Sequence, residues 1–353
     1  MRDIAPELAA WLAARERVAI ATVVRVDGSA PRPLGASLVA AAGERLAGSV
    51  SNGCVETDVY ESAMASLRED RPRVVRYGIS DELAFTVGLA CGGEIEVLVE
   101  PVGAFHAEAL REVRAERAAL LVRIVAPEDR AGTVAIWKDG APGAGWTREL
   151  DALADEARAA LREGASRRTR LVLADGRAGE AFLHALPAPP VLVVVGATHV
   201  AIPLVRFAKA LGYRTVVADP RAALANRERF PDADEIALAW PDDALSSRAL
   251  DGTSAVVVLS HDPKFDHPAL DAALRSGAGY VGAIGSRRTS DQRAAWLREN
   301  GHDPARVHSP IGLDIGARSA EETALAILAE IVAARRGRSG TALSAREPLI
   351  ARA

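Results

Sequence analysis

Cysteine, long apolar runs and an excess of either charge are all scarce in this sequence of 353 residues. Only two cysteines are present, Cys54 and Cys91, too few for a secreted disulfide framework, and that usage points to a reducing compartment. No apolar stretch approaches the roughly 20 residues that a membrane-spanning helix needs. The first helix-like segment carries Asp3, Glu7, Arg15, Glu16 and Arg17, so it holds no apolar signal-peptide stretch. A cytoplasmic protein without membrane contact is expected. The formal net charge is −4, and the short cluster Arg167, Arg168, Arg170 is not interleaved with aromatics, which argues against a nucleic-acid partner. What remains is an ordinary globular composition, 49% hydrophobic and 25% charged, with length enough for two domains.

The stretch that organises the chain is Gly-Ser-Val-Ser-Asn-Gly-Cys-Val-Glu, residues 48–56. Val55, Val59, Ala63 and Leu67 then recur at helical spacing, so a helix is expected to begin at or near Cys54. A helix start leaves unpaired N–H groups and a partial positive charge, which attract anions. The same field favours the thiolate of a cysteine placed there. Ser49, Ser51, Asn52, Gly53, Cys54 and Glu56 are therefore candidate contacts to an anionic ligand. The competing reading is a buried structural thiol beside a tight turn, the usual fate of free cysteine. Spacing alone leaves both open.

Ahead of this loop, Ile4, Leu8, Trp11 and Leu12 mark an amphipathic helix, and the β-branched run 18–26 reads as a strand closed by a turn at Asp27 and Gly28. Pro31 and Pro33 hold Arg32 in extended backbone, a third candidate anion contact after the amides and the thiol. Strands are expected up to Ala42 and over 74–77, residues 46–50 lead into the cysteine turn, and the helix after it ends near Pro72. A second glycine-rich turn, Gly-Leu-Ala-Cys-Gly-Gly over 88–93, carries Cys91, Gly92 and Gly93, and the alternating strand 94–100 follows. Two cysteine turns of one kind invite a single site with two walls. Equally, glycine tolerates tight turns and the thiols fill gaps. Neither C-x-x-C nor a nearby histidine is present, so a metal site of protein ligands alone is not indicated. Over 104–187 the pattern predicts helices at 105–117 and 150–162, strands at 119–125, 133–137, 171–174 and 181–186, and an exposed loop at 139–145. These strands are expected to complete the sheet of the first domain.

Pro187-Ala-Pro-Pro190 is the linker candidate. Beyond it, apolar strands at 191–195, 214–218, 255–259 and 280–284 alternate with helices, the signature of a parallel sheet covered on both faces. A capping box, Ser319 and Glu322, opens the last helix, and a polar tail follows Gly337. Strand, glycine turn, helix, strand and terminal acid form the dinucleotide-binding arrangement, with Gly196, Thr198 and His199 in the turn and Asp219 at about the spacing of a ribose-binding carboxylate. Thr198 stands where the glycine signature wants its second Gly. Two readings follow: a bound nicotinamide-type nucleotide, or a fold that holds no such cofactor. Three polar clusters also fall at strand C-terminal ends: His261, Asp262 and Lys264; Ser286, Arg287 and Arg288; and the stretch 310–318 with Arg318. The cations suit an anion, and His261 with Asp262 suits acid–base work.

Five blocks, residues 48–56, 88–93, 260–264, 282–288 and 310–316, resemble in order those of the XdhC/CoxI family, the xanthine dehydrogenase accessory factors. The resemblance runs over nearly the whole chain and is weakest over 104–187. It implies an α/β protein with an XdhC/CoxI cofactor-binding domain over 1–187, a Rossmann-like doubly wound parallel sheet over 188–338 and a flexible tail over 339–353. It further implies that the chain binds molybdenum cofactor (molybdopterin), guards it during sulfuration and delivers it to a molybdenum hydroxylase such as apo xanthine dehydrogenase. Cys54 matches the cysteine held to contact the cofactor. A cysteine desulfurase is then a further partner, and a homodimer would enlarge the pocket. Asn52 departs from the family pattern, which commonly has glycine there, and Thr198 departs likewise. Molybdopterin carries a phosphate and a dithiolene, which suit amides, arginine and soft-ligand surroundings. The Rossmann crevice would add a second wall, or hold the nucleotide end of a dinucleotide form, since ligands often sit between domains. Three readings compete: an insertion chaperone without turnover, an NAD(P)-dependent oxidoreductase using His261 and Asp219, and a pure protein adaptor.

Overall fold

A computed structural model describes residues 1–78 and 93–345. The chain divides into two compact units, Met1–Ala188 and Pro189–Ala353. The second cysteine turn, with Cys91 and Gly92, lies outside the described residues. Among the described residues no helix is long and apolar enough to cross a membrane.

The first unit opens with α1 (Ala5–Ala13), which has Pro6 in its first turn, where no helical N–H bond is lost. Then come β1 (Val18–Asp27), β2 (Ser37–Ala41), β3 (Arg45–Gly48), α2 (Glu56–Glu69), β4 (Arg73–Tyr77) and β5 (Glu94–Pro101). The strands form an antiparallel sheet in the order β3-β2-β1-β5-β4. Central β1 is apolar on both faces for a reason: Ala19, Ala21 and Val23 pack with Val59, Ala63 and Leu67 of α2, while Val18 and Ile20 join a second core.

That second core corrects the expectation that 104–187 completes the first sheet. After α3 (Ala104–Arg114), the strands β6 (Ala119–Ala126), β7 (Gly132–Lys138) and β8 (Ala141–Pro142), the helix α4 (Ala154–Glu163), and β9 (Arg167–Val172) with β10 (Ala178–Leu186) build a separate sheet, ordered β8-β7-β6-β10-β9. The physical cause is β6, which is apolar on alternate faces. Ala119 and Leu121 pack with Val18 and Ile20, and Leu120, Val122 and Ile124 pack with Ala157 and Ala160 of α4. A strand buried on both faces needs its own neighbours and its own covering helix. The loop expected at 139–145 includes the short edge strand β8.

In the second unit β11 (Val191–Val195), α5 (Ala201–Ala210), β12 (Arg214–Ala218), β13 (Glu235–Ala237), α6 (Pro241–Ser246), β14 (Ala255–Val258), α7 (Pro263–Arg275), β15 (Tyr280–Ala283), α8 (Arg287–Glu299) and α9 (Ala320–Arg335) follow in order; the strands expected at 191–195, 214–218, 255–259 and 280–284 are present, and β13 is an addition to them. All pairings are parallel, in the order β13-β12-β11-β14-β15. Along β11, Leu192 and Val194 face Leu204, Ile327 and Leu328, whereas Val193 and Val195 face Leu270, Leu274 and Leu297. Helices therefore cover both faces, and the strand order reverses between β11 and β14, the switch point where doubly wound sheets take ligands.

Candidate functional site

The loop between β3 and α2 is built around one carboxylate. Glu56, the first residue of α2, folds back over its own loop. Its Oε1 accepts from the Ser49 hydroxyl at 2.6 Å and from the amides of Val50 and Ser51 at 3.2 and 2.9 Å. Its Oε2 accepts from the Ser51 hydroxyl, from the Gly53 amide at 2.7 Å and from the Val55 amide at 3.2 Å. The Asn52 amide donates to Ser49 Oγ at 2.8 Å. This corrects the expectation of free amides awaiting an external anion for Val50, Ser51, Gly53 and Val55, whose N–H groups the protein's own glutamate takes. Burial pushes the Glu56 carboxyl up, but the Ser49 and Ser51 hydroxyls and the amides of Ser51 and Gly53 outweigh it and hold it down to about 2.

Asn52 takes the left-handed conformation, φ 59°, which asparagine tolerates better than most side chains, so it stands in for the family's glycine without breaking the turn. Cys54 is exposed, which overturns the reading of a buried structural thiol. Arg32 reaches the same loop, donating from Nε to the Ser49 carbonyl at 3.3 Å and from Nη2 to Asp3 at 2.9 Å, and stays half-buried. Asn52 Nδ2 donates to the Pro31 carbonyl at 3.3 Å, tying the two loops together. Gly93 lies against the backbone of Ser29, so close that a side chain there would run into the Ser29 carbonyl. Arg32, Ser49, Ser51, Asn52, Gly53, Cys54 and Glu56 thus form one cluster, and Gly93 anchors the foot of the Arg32 loop. Cys91 and Gly92 lie outside the described residues.

In the second unit, the expected ribose carboxylate is already engaged. Asp219 is buried, accepts the Ala197 amide at 2.9 Å, and binds Arg221 through its amide, Nε and Nη2 at 2.9, 2.8 and 2.7 Å. Burial pushes its carboxyl up, but Arg221 and the Ala197 amide hold it below the usual carboxylate value. Gly196 has φ 98° and backs onto the Leu259–Ser260 backbone. The Thr198 hydroxyl is buried without a partner, and His199 is exposed. His261, Lys264, Arg287 and Arg288 are all exposed. Asp262 caps α7 through the Lys264 amide at 3.0 Å, and Ser286 caps α8 through the Thr289 amide at 3.2 Å. Of the expected His261–Asp262 acid–base pair, the carboxylate also serves the helix start through its Oδ1.

Sequence reasoning missed two anchors in this unit, Arg293 buried and Glu330 partly buried. Arg293 of α8 pairs with Asp266 of α7 and donates to the carbonyls of Ile284 and Ser260 at 2.6 and 3.4 Å. Glu330 of α9 accepts from Tyr280 Oη at 2.6 Å and from the Gly312 amide at 2.7 Å. For Glu330 the signal was a charge placed among apolar helix positions, whereas Arg293 lies in a largely polar helix that gave none. Among the described residues no group of three or more His, Cys, Asp or Glu side chains is placed to hold a metal.

Comparisons with known proteins agree with this architecture. A family model described as the XdhC and CoxI family matches residues 11–78, and one described as the XdhC Rossmann domain matches residues 192–331. A relative from Bacillus subtilis, described as a probable subunit of xanthine dehydrogenase, is 29% identical over 340 residues, covering 93% of this chain and 96% of that protein. The molybdenum cofactor insertion chaperone PaoD of Escherichia coli is 27% identical over 323 residues, covering 90% of this chain and 83% of its own. A crystal structure of a xanthine dehydrogenase from Bacillus halodurans superposes with a TM-score of 0.73 at 27% identity, covering 95% and 96% of the two chains. With both of its units matched, the chain belongs to the XdhC and CoxI family.

Proposed function

We propose that this chain holds molybdenum cofactor at the Cys54 loop of its first unit and inserts it into a molybdenum hydroxylase, acting as a chaperone without turnover. The observation that carries this reading is an exposed thiol, Cys54, on a loop fixed from within by Glu56 and flanked by the Arg32 guanidinium. The donor chemistry fits. A soft sulfur suits a dithiolene-bound metal, and a guanidinium suits a phosphate. Cys54 would face the metal end, with Arg32 and Asn52 at the polar end. The amides of Val50, Ser51, Gly53 and Val55 take no part, because Glu56 holds them. When bound, the cofactor supplies the redox metal of the client enzyme; this chain orients and shields it.

The name of PaoD supports the insertion role, and the name of the Bacillus subtilis relative supports xanthine dehydrogenase or a related hydroxylase as client. In this reading residues 1–187 form the cofactor domain, the chain works in the cytoplasm as a homodimer, and a cysteine desulfurase is a second partner while the cofactor is sulfurated. An NAD(P)-dependent oxidoreductase gains no support, since Asp219 is committed to Arg221 and His261 is exposed to solvent. The test is purification from cells that make molybdopterin, followed by denaturation, oxidation and measurement of fluorescent pterin. Wild type should release pterin, and Cys54→Ala should release much less. Equal release from both would overturn the assignment.

A further inference from the structure

The second unit carries three side chains at its sheet edge that insertion does not use: Arg221, Trp240 and Phe265. Arg221 follows β12, Trp240 follows β13 as the residue before α6, and Phe265 lies in the first turn of α7, after β14. All three stand beyond strand C-terminal ends, on either side of the switch point. Trp240 and Phe265 stack with ring centroids 4.9 Å apart and planes 14° from parallel. The Arg221 guanidinium lies 5.3 Å from the Phe265 centroid. Asp219 takes Nε and Nη2 of Arg221, which leaves Nη1 without a hydrogen bond among the described residues. Trp240 nevertheless remains 49% exposed and the Arg221 side chain 51% exposed. A large ring half in water, stacked on a second ring that carries a cation with a spare donor, is a platform for a flat ring that carries negative charge.

We propose that Trp240, Phe265 and Arg221 form a subsite for a heteroaromatic ring bearing phosphate, the ring stacked on Trp240 and the phosphate on the free edge of Arg221. A nucleoside diphosphate and a charged pterin share this chemistry. Recognition differs from that of an ordinary dinucleotide fold. Asp219 has both oxygens engaged, so ribose hydroxyls gain no carboxylate acceptor there. ADP and 2′-deoxy-ADP should bind alike. The subsite does not depend on the Cys54 loop, and its test uses no molybdenum.

Calorimetric titration of the full chain with ADP, 2′-deoxy-ADP, CDP and pterin-6-carboxylate tests it. At least one class should bind. Trp240→Ala should weaken that binding roughly 5- to 150-fold, the range of one lost base–aromatic stack, and Trp240→Phe should retain most of it. Arg221→Lys, which keeps a cation beside Asp219, should weaken the diphosphates by removing the planar edge. Binding of the diphosphates without the pterin identifies a nucleotide subsite, and the reverse identifies a pterin subsite. No binding of any probe to wild type at millimolar concentration, or equal affinity in folded Trp240→Ala, would overturn the proposal. Pterin release that depends on Cys54 would stand in either case.

Discussion

Glu56 Oε2 accepts the amide proton of Gly53 at 2.7 Å, spanning the position of the exposed Cys54. The thiol is thus carried on a loop in which the amides of residues 50–53 and 55 are satisfied from within. A short polar stretch that would otherwise sample many conformations is held in one, with an anion permanently at the start of α2.

Glu56→Gln tests this staple. The variant loses a charged acceptor shared by the Ser49 and Ser51 hydroxyls and the amides of Val50, Ser51, Gly53 and Val55. A stability loss of about 1–3 kcal/mol at neutral pH is expected from urea denaturation. The sign of the pH dependence follows from a carboxyl held at about 2 against an ordinary 4.5. Its contribution is complete above the ordinary value and fades as pH falls from there through about 2. The gap between wild type and variant should therefore narrow on acidification below the ordinary value. A gap that widens would contradict the staple.

Cys54→Ala should behave in the opposite way. The side chain is exposed, so stability should stay within about 0.5 kcal/mol of wild type while pterin retention falls. Parallel melting curves and pterin fluorescence check both halves.

Arg293→Ala should be the most damaging of these substitutions. It strands Asp266 as a buried, unpaired acid and removes the donors to the Ile284 and Ser260 carbonyls, which tie together the chain segments after β14 and β15. A loss of about 3–5 kcal/mol is expected from chemical denaturation. Replacing both partners, with Arg293→Met and Asp266→Leu, should recover much of it.

Thr198→Val should be nearly neutral or slightly stabilising. The Thr198 hydroxyl is buried with no partner, so its removal discards a desolvated group and loses no bond. A clear loss of stability would mean that the hydroxyl is satisfied in solution.

The doubly wound half was legible because its strands are unbroken apolar runs. In β11 every residue from Leu192 to Val195 is buried, and such runs announce a sheet covered on both faces. The second antiparallel sheet was harder to read. The strand β9 begins Arg167, Arg168, Thr169, Arg170, and no alternation shows that Arg168 reaches inward to Glu96 and Glu180. At the candidate site, glycine, serine and a following helix marked the 48–56 loop correctly. The destination of its amides depends on how Glu56 turns back, which spacing does not record. Arg221, two residues after Asp219, was a local hint that the acid would be paired. The Trp240–Phe265 stack joins segments far apart in the chain and had no such hint.

The decisive measurement is the alkylation rate of the Cys54 thiol in a Cys91→Ser chain, with and without bound cofactor. Exposed in the free chain, Cys54 should react readily, and one bound pterin per chain should suppress the reaction. An unchanged rate in a chain carrying stoichiometric pterin would place the cofactor elsewhere and contradict the role assigned to this loop.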